Sequence, residues 1–399
     1  MPEGHTIHRL AEAMEAGFGG RPLRVSSPQG RFADAALIDR WTLLGAEAHG
    51  KHLFLPFAPA ADVDPADESV RRVHIHLGLY GSWTFDGDPG FAAAHAIGAP
   101  RVRVGEREER IAVLDGEDRS DGVDRSDGVD GSDSSVAADG TDGSGAAEGT
   151  GRTGASSRSW RFSVPRPTTR LRLVGPHGLA DLTGPTTCRI ITPDEHAALL
   201  ARLGPDPLRP DADPTRFIDR VTRSRTPIGT LLMNQDVIAG VGNIYRAEAL
   251  FRARLDPFVP GRDLTAGMVR GVWDDLAALM AYGARTGRIV TTQPEHRHLE
   301  PGVIERSRGA RQNGDDDPDA VPRDEAFYVY HRHTLPCRLC GTIVRSAEIS
   351  GRTVYWCPRC QSVRSRRASW TRENPAAPWA LTADGPGHGH GTRGSSLTA

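Results

Sequence analysis

The 399-residue sequence predicts a multidomain α+β protein: an N-terminal helix, a sheet-rich domain, a helical domain and a small C-terminal hairpin stapled by cysteines. Three observations carry this. Short runs of alternating polarity, broken by Gly and Pro, fill Pro22 to Phe85. Apolar residues at helical spacing dominate from Leu208 to Gly287. Four of the five cysteines fall in two close pairs towards the C-terminal end. With 38% hydrophobic and only 6% aromatic residues, the chain suits two or three modest cores better than one large one.

Within residues 2–16, Ile7, Leu10, Ala11 and Met14 recur at helical spacing and predict an amphipathic helix. Arg72-Val73-His74-Ile75-His76-Leu77 alternates as a strand does, and Thr169 to Val174 reads as another strand of the same domain, which is assigned residues 1–204. Between them lies an insert, 105–160, with the hexapeptide Arg119 to Asp124 repeated at Arg125 to Asp130 and then many Gly, Ser and Asp residues. Such a composition cannot bury enough apolar area to offset its ordering entropy, so the insert is expected to be disordered. Two Asp-Gly repeats are too few to stack as a calcium-binding array. Helices are expected over 217–224, 228–234, 244–251 and 264–282, within a domain spanning 205–298, and the glycine-rich Val237 to Asn243 makes a tight turn between two of them. Residues 299–325 read as a linker, 326–363 as the cysteine hairpin and 364–399 as a disordered tail.

The net charge of -2 conceals an uneven distribution. Glu106 to Arg158 holds 14 acidic and 6 basic residues, whereas Phe327 to Arg372 holds nine arginines against the single Glu348. The C-terminal region is therefore a candidate polyanion surface. No run approaches the roughly 18 apolar residues of a membrane span, and the start lacks the apolar stretch of a secretory signal, so the expectation is a cytoplasmic protein without membrane contact. Lys51 is the only lysine beside 48 arginines. Codon bias explains the arginines; the surviving amine invites a reason in amine chemistry that a guanidinium cannot perform.

Cys337-x2-Cys340 and Cys357-x2-Cys360, separated by sixteen residues, match two zinc knuckles. Two disulfides or four unrelated thiols are the alternatives, and the concentration of four cysteines in this spacing favours one structural zinc ion. Cys188 is left over and reads as a small buried residue rather than a nucleophile. The hairpin between the knuckles carries Arg345 and Arg352, suited to phosphate oxygens or to a solvated face. At the other end, removal of Met1 would free Pro2 as a secondary amine beside Glu3. Condensed with an aldehyde-type carbon it gives an iminium that stays cationic and serves as an electron sink; otherwise it is a frayed terminus. In Gly240-Val-Gly-Asn243-Ile, a glycine turn hands over to a helix start, which is either an anion site or a plain cap.

Taken together, Pro2-Glu3-Gly4, Gly50-Lys51, Gly240-Val-Gly-Asn243-Ile and the four-cysteine pair resemble the formamidopyrimidine-DNA glycosylase and endonuclease VIII family, most of all its actinobacterial endonuclease VIII-like branch. The resemblance implies an N-terminal helix with a two-layered β-sandwich, a helix-two-turn-helix domain and a zinc-finger hairpin. It implies damaged DNA as partner, a flipped base, a monomer, and no small-molecule cofactor. Pro2 would attack the sugar C1′, Glu3 would manage protons, and Lys51 would contact the lesion strand. Asn243 and Arg352 would bind phosphates, and Leu79 and Tyr80 would form an apolar wedge, for which a core turn is the competing reading. The implied activity is a bifunctional glycosylase and AP lyase for oxidised bases, with pyrimidines preferred. Oxidised purines, lyase action alone, or a non-catalytic lesion-binding module are the alternatives.

Overall fold

The computed structural model describes residues 2–88, 91, 96–98, 163–297 and 321–362. The acidic insert, the C-terminal tail and most of the predicted linker lie outside the described residues.

Helix α1 (Gly4–Phe18) opens the chain and buries Ile7, Leu10, Ala11, Met14 and Phe18, the stripe its periodicity announces. Beyond it, two antiparallel sheets face each other. One orders β1 (Arg21–Pro22), β3 (Thr42–Leu43), β5 (His52–Ala58), β6 (Arg71–His76) and β11 (Thr187–Ile191), with β4 (Glu47–His49) also pairing to β5. The other orders β2 (Arg24–Ser26), β9 (Thr169–Val174), β10 (Gly178–Thr183), β7 (Ser82–Gly87) and β8 (Ala96–Gly98). Leu53, Leu55, Phe57, Val73 and Ile75 from the first sheet meet Trp83, Phe85, Leu171, Leu173 and Leu182 from the second in one core that α1 completes. Each such side chain contributes about 1.5–3 kcal/mol when fully buried. A charged pair sits inside the second sheet, where Arg172 donates to both oxygens of Asp181 at 2.7 and 2.6 Å across adjacent strands.

Helix α2 (Pro193–Arg202) falls outside the expected helices, although its start is written in the sequence. Thr192 accepts the Glu195 N–H while the Glu195 carboxylate accepts the Thr192 N–H, a reciprocal cap with Pro193 at the first position. The helical half follows: α3 (Pro214–Thr222), the single turn α4 (Ile228–Leu231), α5 (Asn243–Arg252) and α6 (Ala266–Thr286). Each begins and ends within a few residues of its predicted span.

A second core holds Phe217, Val221, Leu250, Phe251, Val272 and Leu276 from these helices together with Tyr328, Val344, Tyr355, Cys337 and Cys357. The cysteine hairpin, β12 (Arg345–Ile349) and β13 (Arg352–Trp356), is thus packed onto the helices. Its two-residue turn, Ser350 and Gly351, has positive φ at both positions (51° and 71°), the geometry that suits the right-handed twist of a hairpin. No helix among the described residues is long and apolar enough to cross a membrane.

Candidate active site

The site lies where α1, the β4–β5 turn and the start of α5 converge, and glycines make the approach possible. The Gly4 N–H donates to the Gly240 carbonyl at 2.8 Å. A Cβ on Gly4 would stand 2.7 Å from the Gly240 Cα, and one on Gly242 would stand 2.4 Å from the Glu3 carboxyl carbon. Glu3 is consequently driven into the α5 terminus: its Oε2 accepts the Gly242 N–H at 2.8 Å and its Oε1 the Ile244 N–H at 2.9 Å. The anion expected at this helix start is therefore supplied first by the chain itself. Pro2, also buried, immediately precedes Glu3.

Lys51 enters from the β4–β5 turn. Gly50 takes a positive φ of 58°, and a Cβ there would meet the Ala239 side chain and the Gly240 nitrogen, both at 2.9 Å. Lys51 is only 8% exposed and its Nζ donates to the Val241 carbonyl at 2.8 Å. Burial pulls its pKa down to about 8, with Glu3 opposing and Arg352 adding to the drop. Burial likewise lifts the Glu3 carboxyl above its ordinary range, with the Lys51 ammonium and the two N–H groups opposing. Acid and amine are pushed towards each other on the pH scale, which suits groups that must give and take protons near neutrality.

Asn243 is the first residue of α5 rather than its cap, and its Oδ1 accepts from Arg246 one turn along. Arg246, singled out by none of the motifs, is fully buried. It also donates to the Thr353 carbonyl at 2.6 Å, tying α5 to the cysteine hairpin. Its i, i+3 spacing from Asn243 is the sequence signal that could have found it. Arg352 is exposed beside that contact and close enough to depress both Lys51 and Arg246. His5 is held neutral, its pKa lowered to about 3 by burial and neighbouring cations, and packs edge-on against Tyr245 with ring centres 5.4 Å apart.

Leu79 and Tyr80 occupy the β6–β7 turn, 44% and 61% exposed, so they do not belong to a core turn. His52, which opens β5, lies opposite His76, which closes β6, so the Gly50–Lys51 and Leu79–Tyr80 turns share one end of the sheet. Cys188 is half-buried on β11, and burial pushes its thiol up to about 12, leaving it inert.

The Sγ atoms of Cys337, Cys340, Cys357 and Cys360 all lie within 4.8 Å of one another, a spacing that fits four thiolates around one tetrahedral zinc ion. With four ligands the site is closed, and its place in the second core makes the metal structural.

A β-sandwich, a glycine-turn helical domain and a four-cysteine finger, with a buried carboxylate and amine where α1 meets the α5 start, form the architecture that the sequence resemblance implies, and comparison with known proteins narrows the class. Residues 203–294 match the formamidopyrimidine-DNA glycosylase H2TH domain and residues 335–363 the zinc finger found in FPG and IleRS. Endonuclease 8 1 of Mycobacterium tuberculosis is 38% identical over 363 residues, 91% of this chain and 100% of the relative. Formamidopyrimidine-DNA glycosylase of Thermus thermophilus is 35% identical over 41% of this chain and 55% of its own length. The crystal structure of the MutM (Fpg) protein from Thermus thermophilus superposes with a TM-score of 0.54 at 23% identity, covering 90% of this chain and 99% of that one. The chain belongs to the formamidopyrimidine-DNA glycosylase and endonuclease VIII family.

Proposed function

We infer that this chain is a DNA glycosylase and AP lyase of base excision repair, and we propose that it acts on oxidised bases, pyrimidines foremost, through Pro2. The observation that carries the reading is the buried Glu3–Lys51 pair at the α5 start, directly behind Pro2. In the proposed sequence, the amine of processed Pro2 attacks C1′ as the damaged base departs, and the amine proton passes to the base. Glu3 protonates the ring oxygen so that the sugar opens to an iminium. That cation withdraws electrons as C2′ loses a proton to the Glu3 carboxylate and the 3′-phosphate leaves, and water then hydrolyses the iminium, freeing the Pro2 amine and an unsaturated aldehyde. Lys51, an ammonium below pH about 8, faces the strand at the reaction centre and stabilises developing negative charge.

Asn243 and Arg352 are proposed to hold the phosphates flanking the lesion, with Leu79 and Tyr80 filling the space the base vacates. Flipping demands a kinked duplex, and contacts on both sides of the flipped nucleotide would hold it. Cys337, Cys340, Cys357 and Cys360 would hold the zinc that keeps the finger folded. We further propose a monomer acting in the cytoplasm, on the nucleoid.

Borohydride trapping tests the scheme. Protein with a verified Pro2 terminus should form a covalent adduct with abasic DNA, and peptide mapping should place it on Pro2. Tight binding of abasic DNA without any adduct would instead identify a lesion-binding module. A panel of oligonucleotides with different oxidised bases decides the substrate class, pyrimidine lesions being released fastest.

A further inference from the structure

The connector between the two cores, residues 203–211, grips two turns at once. On one side it holds the β4–β5 turn. His49 Nε2 lies 3.0 Å from the Gly204 carbonyl, the Gly50 N–H donates to Asp206 Oδ2 at 2.7 Å, and Arg209 donates to Glu47 Oε1 at 2.7 Å. On the other side it holds the turn that leads into α5. The Gly204 N–H donates to the Gln235 carbonyl at 2.8 Å, and the Ala239 N–H donates to the Pro205 carbonyl at 3.0 Å. These are the turns that carry Lys51 and its acceptor, the Val241 carbonyl.

Asp206 sits at the centre of this clasp with no exposed surface. Besides Gly50, its Oδ2 meets His8 Nε2 of α1 at 2.7 Å, and its Oδ1 accepts the Leu208 N–H at 2.9 Å. Burial works against its charge, and His8 with the two N–H groups outweighs that, holding the carboxyl below its ordinary value. One carboxylate therefore joins the helix that begins behind Glu3, the turn before Lys51 and the connector. We propose that Asp206 is the positioning residue of Lys51: by fixing Gly50 it sets Nζ against the Val241 carbonyl and beside Glu3. It touches no reacting atom itself. An amide cannot replace it. Whichever way the side chain of Asp206→Asn turned, its NH2 would face the Gly50 or the Leu208 N–H, leaving a buried donor unmatched.

The inference rests on the role given to Lys51 above, and the test separates the two. Because Lys51 is the only lysine, reductive methylation with 13C-formaldehyde gives a single lysine resonance whose titration reports the amine's surroundings without any assay of turnover. In Asp206→Asn, that titration is expected to rise from about 8 towards the ordinary lysine value, and single-turnover strand cleavage to fall on the order of a hundredfold, the cost of a misplaced catalytic group. Affinity for DNA carrying an uncleavable abasic analogue stays within about threefold, since the phosphate contacts lie elsewhere. If cleavage falls while the resonance titrates as before, Asp206 is merely structural and the proposal is overturned. If the resonance moves while cleavage is unchanged, the positioning stands and the role of Lys51 falls. Should Asp206→Asn not fold, His8→Leu carries the test with a loss of roughly tenfold, which His8→Gln, still able to donate to the carboxylate, recovers in part. No displacement of the lysine resonance in His8→Leu would overturn the proposal equally.

Discussion

Two buried carboxylates attached to the same helix are satisfied to different extents. Glu248, inside α5, is completely enclosed, and its two oxygens collect four donors. The Tyr328 N–H and the Thr291 hydroxyl bind Oε2, while the Val329 and Tyr330 N–H groups bind Oε1. Glu3, at the mouth of α5, is almost as enclosed, yet each of its oxygens accepts one backbone N–H, and a buried ammonium lies alongside. A carboxylate offers about four lone-pair sites. Glu248 has spent them on the chain that leads into the finger, whereas Glu3 keeps capacity for a proton or a substrate atom. Burial alone thus does not separate the acid proposed to be catalytic from the structural one; the saturation of their acceptors does.

Exchanging each carboxylate for its amide should separate the two roles, and the largest effect belongs to Glu3. Glu3→Gln is expected to lower single-turnover cleavage by about 10²–10⁴-fold, the range for loss of a positioned proton-transfer group. Its NH2 would oppose either the Gly242 or the Ile244 N–H, a cost of about 1–3 kcal/mol that is offset in part because burial already disfavours the charge of Glu3. Glu248→Gln should cost stability alone. Its NH2 would oppose N–H donors, costing about 1–3 kcal/mol in a buried site, and thermal unfolding would fall by about 2–4 °C per kcal/mol, while the folded fraction keeps its turnover. If Glu3→Gln cleaves normally, or Glu248→Gln loses turnover without loss of stability, the distinction collapses.

The zinc site tests the back of the helix from the other direction. Cys337 and Cys357 are buried in the same core as Phe251 and Tyr328, so the finger and the helices should loosen together. Stripping the metal with a strong chelator, or Cys357→Ser, is expected to release one zinc per chain by elemental analysis and to open the finger to proteolysis. DNA binding should weaken at the same time, because Arg352 rides on that hairpin and Arg246 bonds to it. An intact, protease-resistant finger after metal loss would remove zinc from the account.

A subtler effect is expected from pH. Lys51 titrates near 8 when folded and near its ordinary 10.5 when unfolded. Between those values the unfolded chain holds the extra proton, so this residue's contribution to stability rises with pH across that window, and its full cost is present below about 8. Activity should move the other way. If the ammonium is the working form, cleavage declines as pH rises through about 8, and Lys51→Arg, whose guanidinium stays charged, should lose that decline along with most of its rate. Lys51→Met should relieve part of a burial cost on the order of 3 kcal/mol and raise the melting temperature near neutral pH. A cleavage profile flat through pH 8 would show that the protonation state of Lys51 is not limiting.

How much of this is legible in the sequence varies with the range of the interaction. The zinc ligands follow from local spacing, Lys51 from being alone of its kind, and the helical half from periodicity over a few turns. The destination of the Glu3 side chain cannot be read, because its N–H partners lie some 240 positions away and nothing in Pro2-Glu3-Gly4 names them. The same holds for Asp206, an inconspicuous acid in Gly204-Pro-Asp-Pro207 until the fold sets Gly50 and His8 against it. Helix α2 escapes for a different reason. Its capping signal, Thr192 to Glu195, is local and readable, but it buries no residue fully, and a search led by apolar stripes passes over it. Strand β10, buried along nearly its whole length, lacks the alternation that exposes a half-buried strand.

The smallest expected effect on the fold sharpens the comparison most, since it removes burial altogether. Leu79 and Tyr80 stand on the same end of the sheet as Lys51 but face solvent, so folding gains little from either. Leu79→Ala together with Tyr80→Ala should therefore leave stability within about 0.5 kcal/mol, the usual range for surface substitutions. If the turn enters the duplex, the pair should slow excision of a paired damaged base by roughly tenfold, since the lost stacking of a few kcal/mol is then only partly replaced. It should leave cleavage of an abasic site in single-stranded DNA unchanged, because no stack has to be refilled there. Equal losses on both substrates would place the two side chains at the sugar rather than in the gap, and no loss on either would make the turn a bystander.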